Sequence, residues 1–137
     1  MDDTAVDVVR AYFDAWNRRD LEALEFVLDP EVEWERSADF PEGRTLRGRE
    51  SLVDFARSMF DVFAETPVEL AGCVEPVPGR VVVEGTSRFR GGRSGAETTA
   101  RWVRLYSVEA GAIVAVRPFS DRGEAINAAS DEAGRSR

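Results

Sequence analysis

The 137-residue sequence contains no histidine and no lysine, and Cys73 is its single cysteine. Without an imidazole, neither Ser-His-Asp nor Cys-His nucleophilic catalysis is available. The missing nitrogen and sulfur ligands also argue against a zinc or haem site. Carboxylate and carbonyl oxygens remain, and these suit Mg²⁺ or Ca²⁺ at best. We therefore expect no metal, no cofactor and no intramolecular disulfide.

Positive charge is also scarce, since 18 basic residues, all arginine, stand against 26 acidic ones and the net charge is −8. An acidic surface disfavours nonspecific nucleic-acid binding and docking on anionic membranes, because both depend on neutralising phosphates. No run approaches the roughly 18 apolar residues of a membrane helix. The acidic N-terminus lacks the apolar segment of a signal peptide. We expect a cytoplasmic protein with neither nucleic-acid nor membrane partners.

Hydrophobic residues nevertheless make up 43% of the chain, and their spacing predicts a globular domain. Apolar residues recur at helical spacing in three segments and alternate with polar ones in five others. The predicted helices cover about 4–17, 20–28 and 49–63, and the predicted strands cover 31–35, 66–77, 80–90, 96–109 and 112–120. We assign one domain to residues 1–128 and a frayed tail to residues 129–137, which are rich in Ala, Ser, Asp and Gly.

The order of these elements indicates an α+β fold. The last four predicted strands are joined by short turns, so they should be antiparallel neighbours. Helices segregated from an antiparallel sheet are typical of α+β domains. The sheet has more apolar residues than one flat face needs, so we expect it to curl around the three N-terminal helices. Such a cone would enclose an apolar pocket, the usual form of a ligand site.

Several local motifs narrow the fold. They are VRAYFDAWNRRDLEAL over 9–24, DPEVEW over 29–34, LRGRESL over 46–52, and GAIV at 111–114 followed by FSDR at 119–122. Together they resemble the SnoaL-like proteins of the nuclear-transport-factor-two-like superfamily over residues 5–127. This resemblance implies a cone-shaped fold. It leaves activity open, because that superfamily includes isomerases, cyclases, epoxide hydrolases and noncatalytic binders.

The resemblance to ketosteroid isomerases of this fold implies two catalytic residues. Tyr12 matches their oxyanion-donating tyrosine, and Glu35 falls where their carboxylate base follows the early strand. Alternatively, Tyr12 is a core aromatic and Glu35 faces water. Strand alternation puts Glu35 opposite Trp34, so a core Trp34 would exclude Glu35 from the pocket unless the strand bulges.

Two positions depart from the catalytic members of the family. Trp102 falls where the isomerases carry a second acid, and an indole can donate a hydrogen bond but is not an acid. Pro118 falls where cyclases and epoxide hydrolases carry an acid, and proline cannot act as a base. Both departures weaken the prediction of an enzyme.

Arg104 is the third candidate catalytic residue. If strand alternation is unbroken, Arg104 shares a face with Trp102 and would need a partner such as Glu35 or Asp121. It could instead hold a carboxylate or enolate of a ligand. The alternatives are an exposed Arg104 on the outer face, or a bulge that brings Arg101 into the pocket.

We also predict residues that line the pocket from the helices, the strands and the closing segment. Gly85, on the strand face predicted to be concave, would leave space for a ligand or permit the sheet to bend. The predicted ligand-binding residues are Trp16, Phe55, Met59, Val83, Phe89, Trp102, Pro118 and Asp121.

Two functional hypotheses follow, together with a third that needs no pocket chemistry. The first is a cofactor-free enzyme that moves a proton on a small apolar or mixed-polarity substrate, with Glu35 as base and Tyr12 as donor. The second is a noncatalytic ligand-binding or accessory module, and the third is a scaffold. We further expect a homodimer, because Val82, Val103 and Leu105 make the outward strand face half-apolar.

Overall fold

The computed structural model describes residues 4–36, 45–91 and 95–135, with side chains described to residue 132. Within these ranges it contains four helices and seven strands. The helices are α1 (Ala5–Asn17), α2 (Leu21–Phe26), α3 (Arg49–Val62) and α4 (Arg122–Arg135). The strands are β1 (Leu28–Trp34), β2 (Leu46–Arg47), β3 (Phe63–Glu65), β4 (Val68–Val77), β5 (Arg80–Gly91), β6 (Glu97–Glu109) and β7 (Ala112–Phe119).

The N-terminal helices begin at the caps that the sequence indicates. Thr4 and Asp7 form a reciprocal capping box at the start of α1. The Asp20 side chain accepts a hydrogen bond from the Ala23 amide and caps α2. The second helix is shorter than predicted, because β1 already starts at Leu28.

The sheet is mixed, which corrects the expectation of a purely antiparallel one. Its strand order is β2-β1-β7-β6-β5-β3, and β4 also pairs with β5. β1 runs parallel to β7, whereas the other pairs are antiparallel. A parallel pair needs a long connection, and α3 and five strands separate β1 from β7 in sequence. The four long strands lie within two residues of their predicted limits.

The concave face of the sheet packs against α1 and forms the main core. Val81 and Val83 of β5 are fully buried there, which agrees with the predicted inward face of that strand. From α1, Val9 and Phe13 enter the same core, as does Val32 of β1. The predicted curved α+β architecture is therefore confirmed.

The fourth helix, which the sequence did not indicate, covers part of the outer face. Ala125 and Ala129, one turn apart on α4, are fully buried against Val82 and Leu105. Small side chains allow the helix to approach the sheet closely. The alanine-rich composition, from which a frayed tail after residue 128 was predicted, therefore lets this segment pack on the sheet. Residues 129–135 are helical. Much of the apolar strip on which the predicted homodimer depended is thus covered by the chain itself.

Ion pairs fix α4 to the sheet. Glu132 accepts hydrogen bonds from Arg80 of β5 and Arg117 of β7, and all three side chains are partly shielded from solvent. Charge-assisted bonds of this kind are stronger than neutral ones. None of the helices in the described ranges is long and apolar enough to cross a membrane.

Candidate functional site

An aromatic cluster occupies the inside of the cone. It consists of Tyr12, Phe13, Trp34, Trp102 and Tyr106, and one charged side chain, Arg104, lies among them. The rings of Tyr12 and Trp34 are 5.6 Å apart between centroids, and those of Trp34 and Tyr106 are 5.7 Å apart and nearly perpendicular. Such separations are typical of favourable aromatic contacts.

Arg104 is a half-buried cation held by aromatic rings. Its Cζ lies 4.1 Å from the Trp102 ring centroid and 5.2 Å from that of Trp34. Its Nη1 approaches the Tyr106 hydroxyl at 3.5 Å. Among the residues that the structure describes, no carboxylate lies within ion-pairing distance of this guanidinium. Within the described ranges, ring faces and a phenol alone therefore compensate its charge.

The two phenols of the cluster are kept neutral. Burial raises the pKa of Tyr12 and of Tyr106 well above the usual value for a phenol, and the positive charge of Arg104 only partly opposes this. For Tyr12, the neighbouring Tyr106 raises the pKa further. Both phenols are therefore potential hydrogen-bond donors to an anion, not anions themselves.

Trp102 forms a fixed wall of the cluster. Its indole N–H donates to Ser87 Oγ at 2.8 Å, and its ring stacks on Phe13 with an angle of 14° between the planes. A Cβ on Gly85 would lie only 2.5 Å from the Trp102 ring. Gly85 is therefore required to make room for the indole, and the space predicted for a ligand there is taken by Trp102.

The register of β6 decides which arginine faces inward. Pairing between β5 and β6 is continuous from Arg80–Ser107 to Arg90–Glu97. Without a bulge, alternation puts Arg104 on the concave face with its two aromatic strand neighbours, and Arg101 is exposed. The predicted inward Arg104 is therefore the one observed.

Glu35 lies outside the cone, contrary to the predicted catalytic pair. Its side chain is 52% exposed, and its Oε2 lies 3.8 Å from Nε of Arg117. Arg117 also bonds Glu132 of α4, which marks the outer face of the sheet. Trp34 takes the inward position and contacts Tyr12. The structure thus does not bring Glu35 and Tyr12 together.

Asp121 also lies away from the aromatic cluster. Its Oδ1 accepts a hydrogen bond from the backbone N–H of Glu124 at 2.8 Å, in the first turn of α4. The side chain is therefore used to cap a helix. Neither of the two acids predicted to pair with Arg104 does so.

Two predicted lining residues make their ring contacts outside the aromatic cluster. The Trp16 indole N–H donates to the Thr66 carbonyl at 2.7 Å, and Trp16 packs on Phe60 at 4.9 Å between ring centroids. Phe89 instead contacts Phe63, 5.3 Å away, near the far end of β5. Trp16 is thus a core residue with a satisfied donor, and Phe89 is not in the cluster.

The remaining predicted lining residues have mixed outcomes. Val83 is completely buried and Met59 packs half-buried against the same core. Phe55 is half-buried beneath Arg36, whose Cζ lies 4.5 Å from the ring centroid. Pro118 is directly opposite Arg104 in the β6–β7 register. Val83 is likewise directly opposite Arg104, in the β5–β6 register, so two of these four residues flank the charged residue of the cluster.

Sequence reasoning missed Trp34, Tyr106 and Ser87 as members of the site. Tyr106 shares a strand face with Trp102 and Arg104 by simple alternation, so this signal was present. The role of Ser87 was not readable, because it depends on the position of the indole from the neighbouring strand.

The cluster has the chemistry of an anion site. It offers a guanidinium, two neutral phenols and flat ring surfaces, but among the described residues it contains no carboxylate that could act as a base. The described ranges also hold no group of three His, Cys, Asp or Glu residues that could bind a metal. Elsewhere in these ranges, a small cavity lies by Cys73 and Arg122, and an open groove lies beside α1 and α2.

Comparison with known proteins identifies the relatives of this chain. The sequence model of the SnoaL-like domain matches residues 9–116. Among curated proteins, none matches the sequence. A crystal structure of an NTF2-like protein of unknown function from Burkholderia pseudomallei is 27% identical, with a TM-score of 0.72, over 90% of this chain and 95% of that one.

Two more distant structures share the fold and are described with ligands. TerC co-crystallised with polyporic acid is 22% identical, with a TM-score of 0.70, over 90% of this chain and 98% of that one. A Mycobacterium tuberculosis protein in complex with estradiol-17beta-hemisuccinate is 16% identical, with a TM-score of 0.75, over 88% and 97% of the two chains. At these identities, the likeness shows the fold alone.

Proposed function

The chain belongs to the SnoaL-like domain family, and we propose that it binds a small, flat, anionic molecule at the half-buried Arg104 of the aromatic cluster, without converting it chemically. The single observation that carries this proposal is Arg104. Its half-buried guanidinium has no carboxylate partner among the described residues, so an anionic ligand would compensate this positive charge.

The contacts of Arg104 define the ligand class. A planar guanidinium matches a carboxylate or enolate, which can accept two parallel hydrogen bonds. The indoles of Trp34 and Trp102 offer flat apolar surfaces beside that charge. Tyr12 and Tyr106 supply neutral donors. A conjugated or polycyclic acid would use all of these groups.

The absence of turnover follows from where the acids lie. Proton transfer needs a base within hydrogen-bond reach of the substrate. Glu35 pairs with Arg117 on the outer face, and Asp121 caps α4. In the described part of the cluster, arginine and neutral phenols remain, and these stabilise an anion but do not accept a proton.

The ligands of the distant relatives suggest suitable probes. Estradiol-17beta-hemisuccinate carries a succinyl ester ending in a carboxylate where estradiol has a hydroxyl, so the pair compares an acidic and a neutral ligand with the same ring system. Polyporic acid is a second, chemically unrelated acid. Binding can be followed by tryptophan fluorescence, because two of the three tryptophans flank Arg104, and verified by calorimetry.

The decisive variant is Arg104→Met, with Arg101→Met as the matched control on the exposed face of the same strand. A hydrogen bond to a charged group contributes about 1.5–3 kcal/mol, so Arg104→Met should weaken binding of the acids roughly 10- to 150-fold. Binding of neutral estradiol should change little. Arg101→Met and Glu35→Gln should bind like wild type.

Two results would contradict the proposal. One is that neither acid binds the wild-type protein at millimolar concentration. The other is that Arg104→Met binds the acids as tightly as wild type does. A loss of binding on Glu35→Gln, together with turnover by wild type, would restore the hypothesis of an enzyme.

A further inference from the structure

A second arginine, Arg36, follows the end of β1 on the inner side of the sheet. Side chains alternate along an extended strand, and here Trp34 points into the aromatic cluster whereas Glu35 reaches Arg117 on the outer face. Arg36 should therefore face inward again. Its Cζ indeed lies 4.5 Å from the centroid of the Phe55 ring on α3. Because α3 buries side chains in the main core, this contact lies on the concave side.

The pairing of three strands places Arg36 in the same row as Arg104. Trp34 lies opposite Val116 in the β1–β7 register, and the next backbone amide of the chain donates to the Val116 carbonyl at 2.9 Å. The parallel register therefore continues beyond the end of β1, and two residues after Trp34 it brings Arg36 opposite Pro118. Pro118 is in turn directly opposite Arg104 in the β6–β7 register.

Pro118 separates the two arginines by the width of one strand. Neighbouring strands lie about 4.8 Å apart, so the Cα atoms of Arg36 and Arg104 should be about 10 Å apart. The surface between them is apolar, because it consists of the Pro118 ring and the Trp34 indole, whose centroid is 5.2 Å from Cζ of Arg104. Both arginines are half-buried, so each keeps part of its surface accessible to a ligand.

The acidic residues beside this row belong to the opposite face of the sheet. Glu33 lies 3.7 Å from Arg47, and Glu35 lies 3.8 Å from Arg117. An anion on the inner face therefore meets a positive charge on each side of the row. The contact of Arg36 with a ring does not prevent it from binding an acid, because a guanidinium has five N–H donors and can serve more than one partner.

We propose that Arg36 is a second cationic contact of the ligand site, and that the preferred ligand is a flat molecule with an acidic group at each end. This inference rests on the proposed binding of an anion at Arg104. One acid binds Arg104 and the other binds Arg36, while the ring system lies across Pro118. Because a guanidinium can hold a carboxylate through two parallel hydrogen bonds, both ends of such a diacid are fixed.

A matched pair of ligands tests the second contact. Naphthalene-2,6-dicarboxylate carries an acid at each end of a flat ring system, and its monomethyl ester has nearly the same shape but one charge less. In isothermal titration calorimetry, the wild-type protein should bind the diacid about tenfold more tightly than the ester, because hydrogen bonds between two charged groups are stronger than those to a neutral ester.

Three variants assign the second contact to Arg36. Arg36→Met should reduce the affinity for the diacid to that for the ester, and should leave the affinity for the ester within about threefold of wild type. Arg36→Lys keeps the charge but not the planar fork, so it should retain part of the preference for the diacid. The matched control is Arg47→Met, which removes the same charge from an exposed position on β2 and should bind both ligands like wild type.

Arg104→Met separates a failure of this inference from a failure of the proposed function. If the ester binds wild type and is weakened by Arg104→Met, but the diacid binds no better than the ester, the anion site stands and the second contact is refuted. Equal loss of both ligands in a folded Arg36→Met protein would refute it too. If neither ligand binds at millimolar concentration, the second contact is again refuted, and estradiol-17beta-hemisuccinate decides separately whether the anion site exists. The comparison of the two ligands in wild type remains decisive if Arg36→Met does not fold.

Discussion

Replacement of Gly85 by alanine should destabilise the protein by displacing Trp102. The added Cβ would lie 2.5 and 2.6 Å from two carbons of the indole, and 3.2 Å from the Glu69 carbonyl oxygen. Non-bonded carbon atoms normally approach no closer than about 3.5 Å. The indole cannot yield easily, because it is stacked on Phe13 and hydrogen-bonded to Ser87.

The expected loss is the balance of opposing terms. Overpacking of a filled site costs about 1–3 kcal/mol, and loss of the indole hydrogen bond about 0.5–1.5 kcal/mol more. Alanine also restricts the unfolded chain and so returns about 0.4–1 kcal/mol. We expect Gly85→Ala to lower the free energy of unfolding by about 0.5–4 kcal/mol.

Urea denaturation of four proteins isolates the contact: wild type, Gly85→Ala, Trp102→Ala and the double variant. In the Trp102→Ala background the clash is absent. Gly85→Ala should then be neutral or stabilising by up to about 1 kcal/mol. The two substitutions should therefore be strongly coupled, as expected for residues in contact.

Equal cost of Gly85→Ala in both backgrounds would refute this reasoning. It would show that the backbone contact with Glu69, and not the indole, limits the space at this position. A neutral Gly85→Ala in the wild-type background would show that the indole moves freely, and Trp102 would then not be a fixed wall of the site.

Three other outcomes follow from the structure. The free energy of unfolding should fall as the pH rises above about 10, because the raised pKa values of Tyr12 and Tyr106 let only the unfolded chain ionise there. The expected slope is about 1.4 kcal/mol per pH unit for each buried phenol. Tyr12→Phe should remove about half of that slope in urea titrations at alkaline pH. Glu132→Gln should cost about 1–2 kcal/mol in thermal or urea unfolding, because it weakens two ion pairs that hold α4, and added salt should narrow the difference from wild type. Thr4→Ala should cost about 1 kcal/mol by removing the α1 cap, and a change below about 0.3 kcal/mol would show that the cap does not contribute in solution.

Much of the fold was determined by local sequence alone. The helix caps at Thr4 and Asp20 and the spacing of apolar residues along α1 and α3 define those elements without reference to the rest of the chain. The alternation in β5 also assigned Val83 to the inner face, where it is fully buried. These features follow from periodicity and capping, which act over a few residues.

Other parts of the fold depended on contacts between distant segments. The parallel pairing of β1 with β7 has no local signal, because it joins strands separated by most of the chain. The helix α4 could not be predicted from its own sequence either. Burial of its alanines is favourable because Val82 and Leu105, which are distant in sequence, present an apolar surface to them.

Some residues of the candidate site could likewise be predicted from the sequence, whereas the positions of others depended on the tertiary structure. The resemblance to the family pointed to Tyr12 and Trp102, and strand alternation put Arg104 on the same face as Trp102; all three lie on inward faces in the structure. The sequence could not decide the position of Glu35, whose direction depended on whether β1 turned at its end. Only the tertiary structure put Trp34 inward and Glu35 with Arg117, because burying an indole among aromatic rings is favourable whereas burying a carboxylate without a partner is costly.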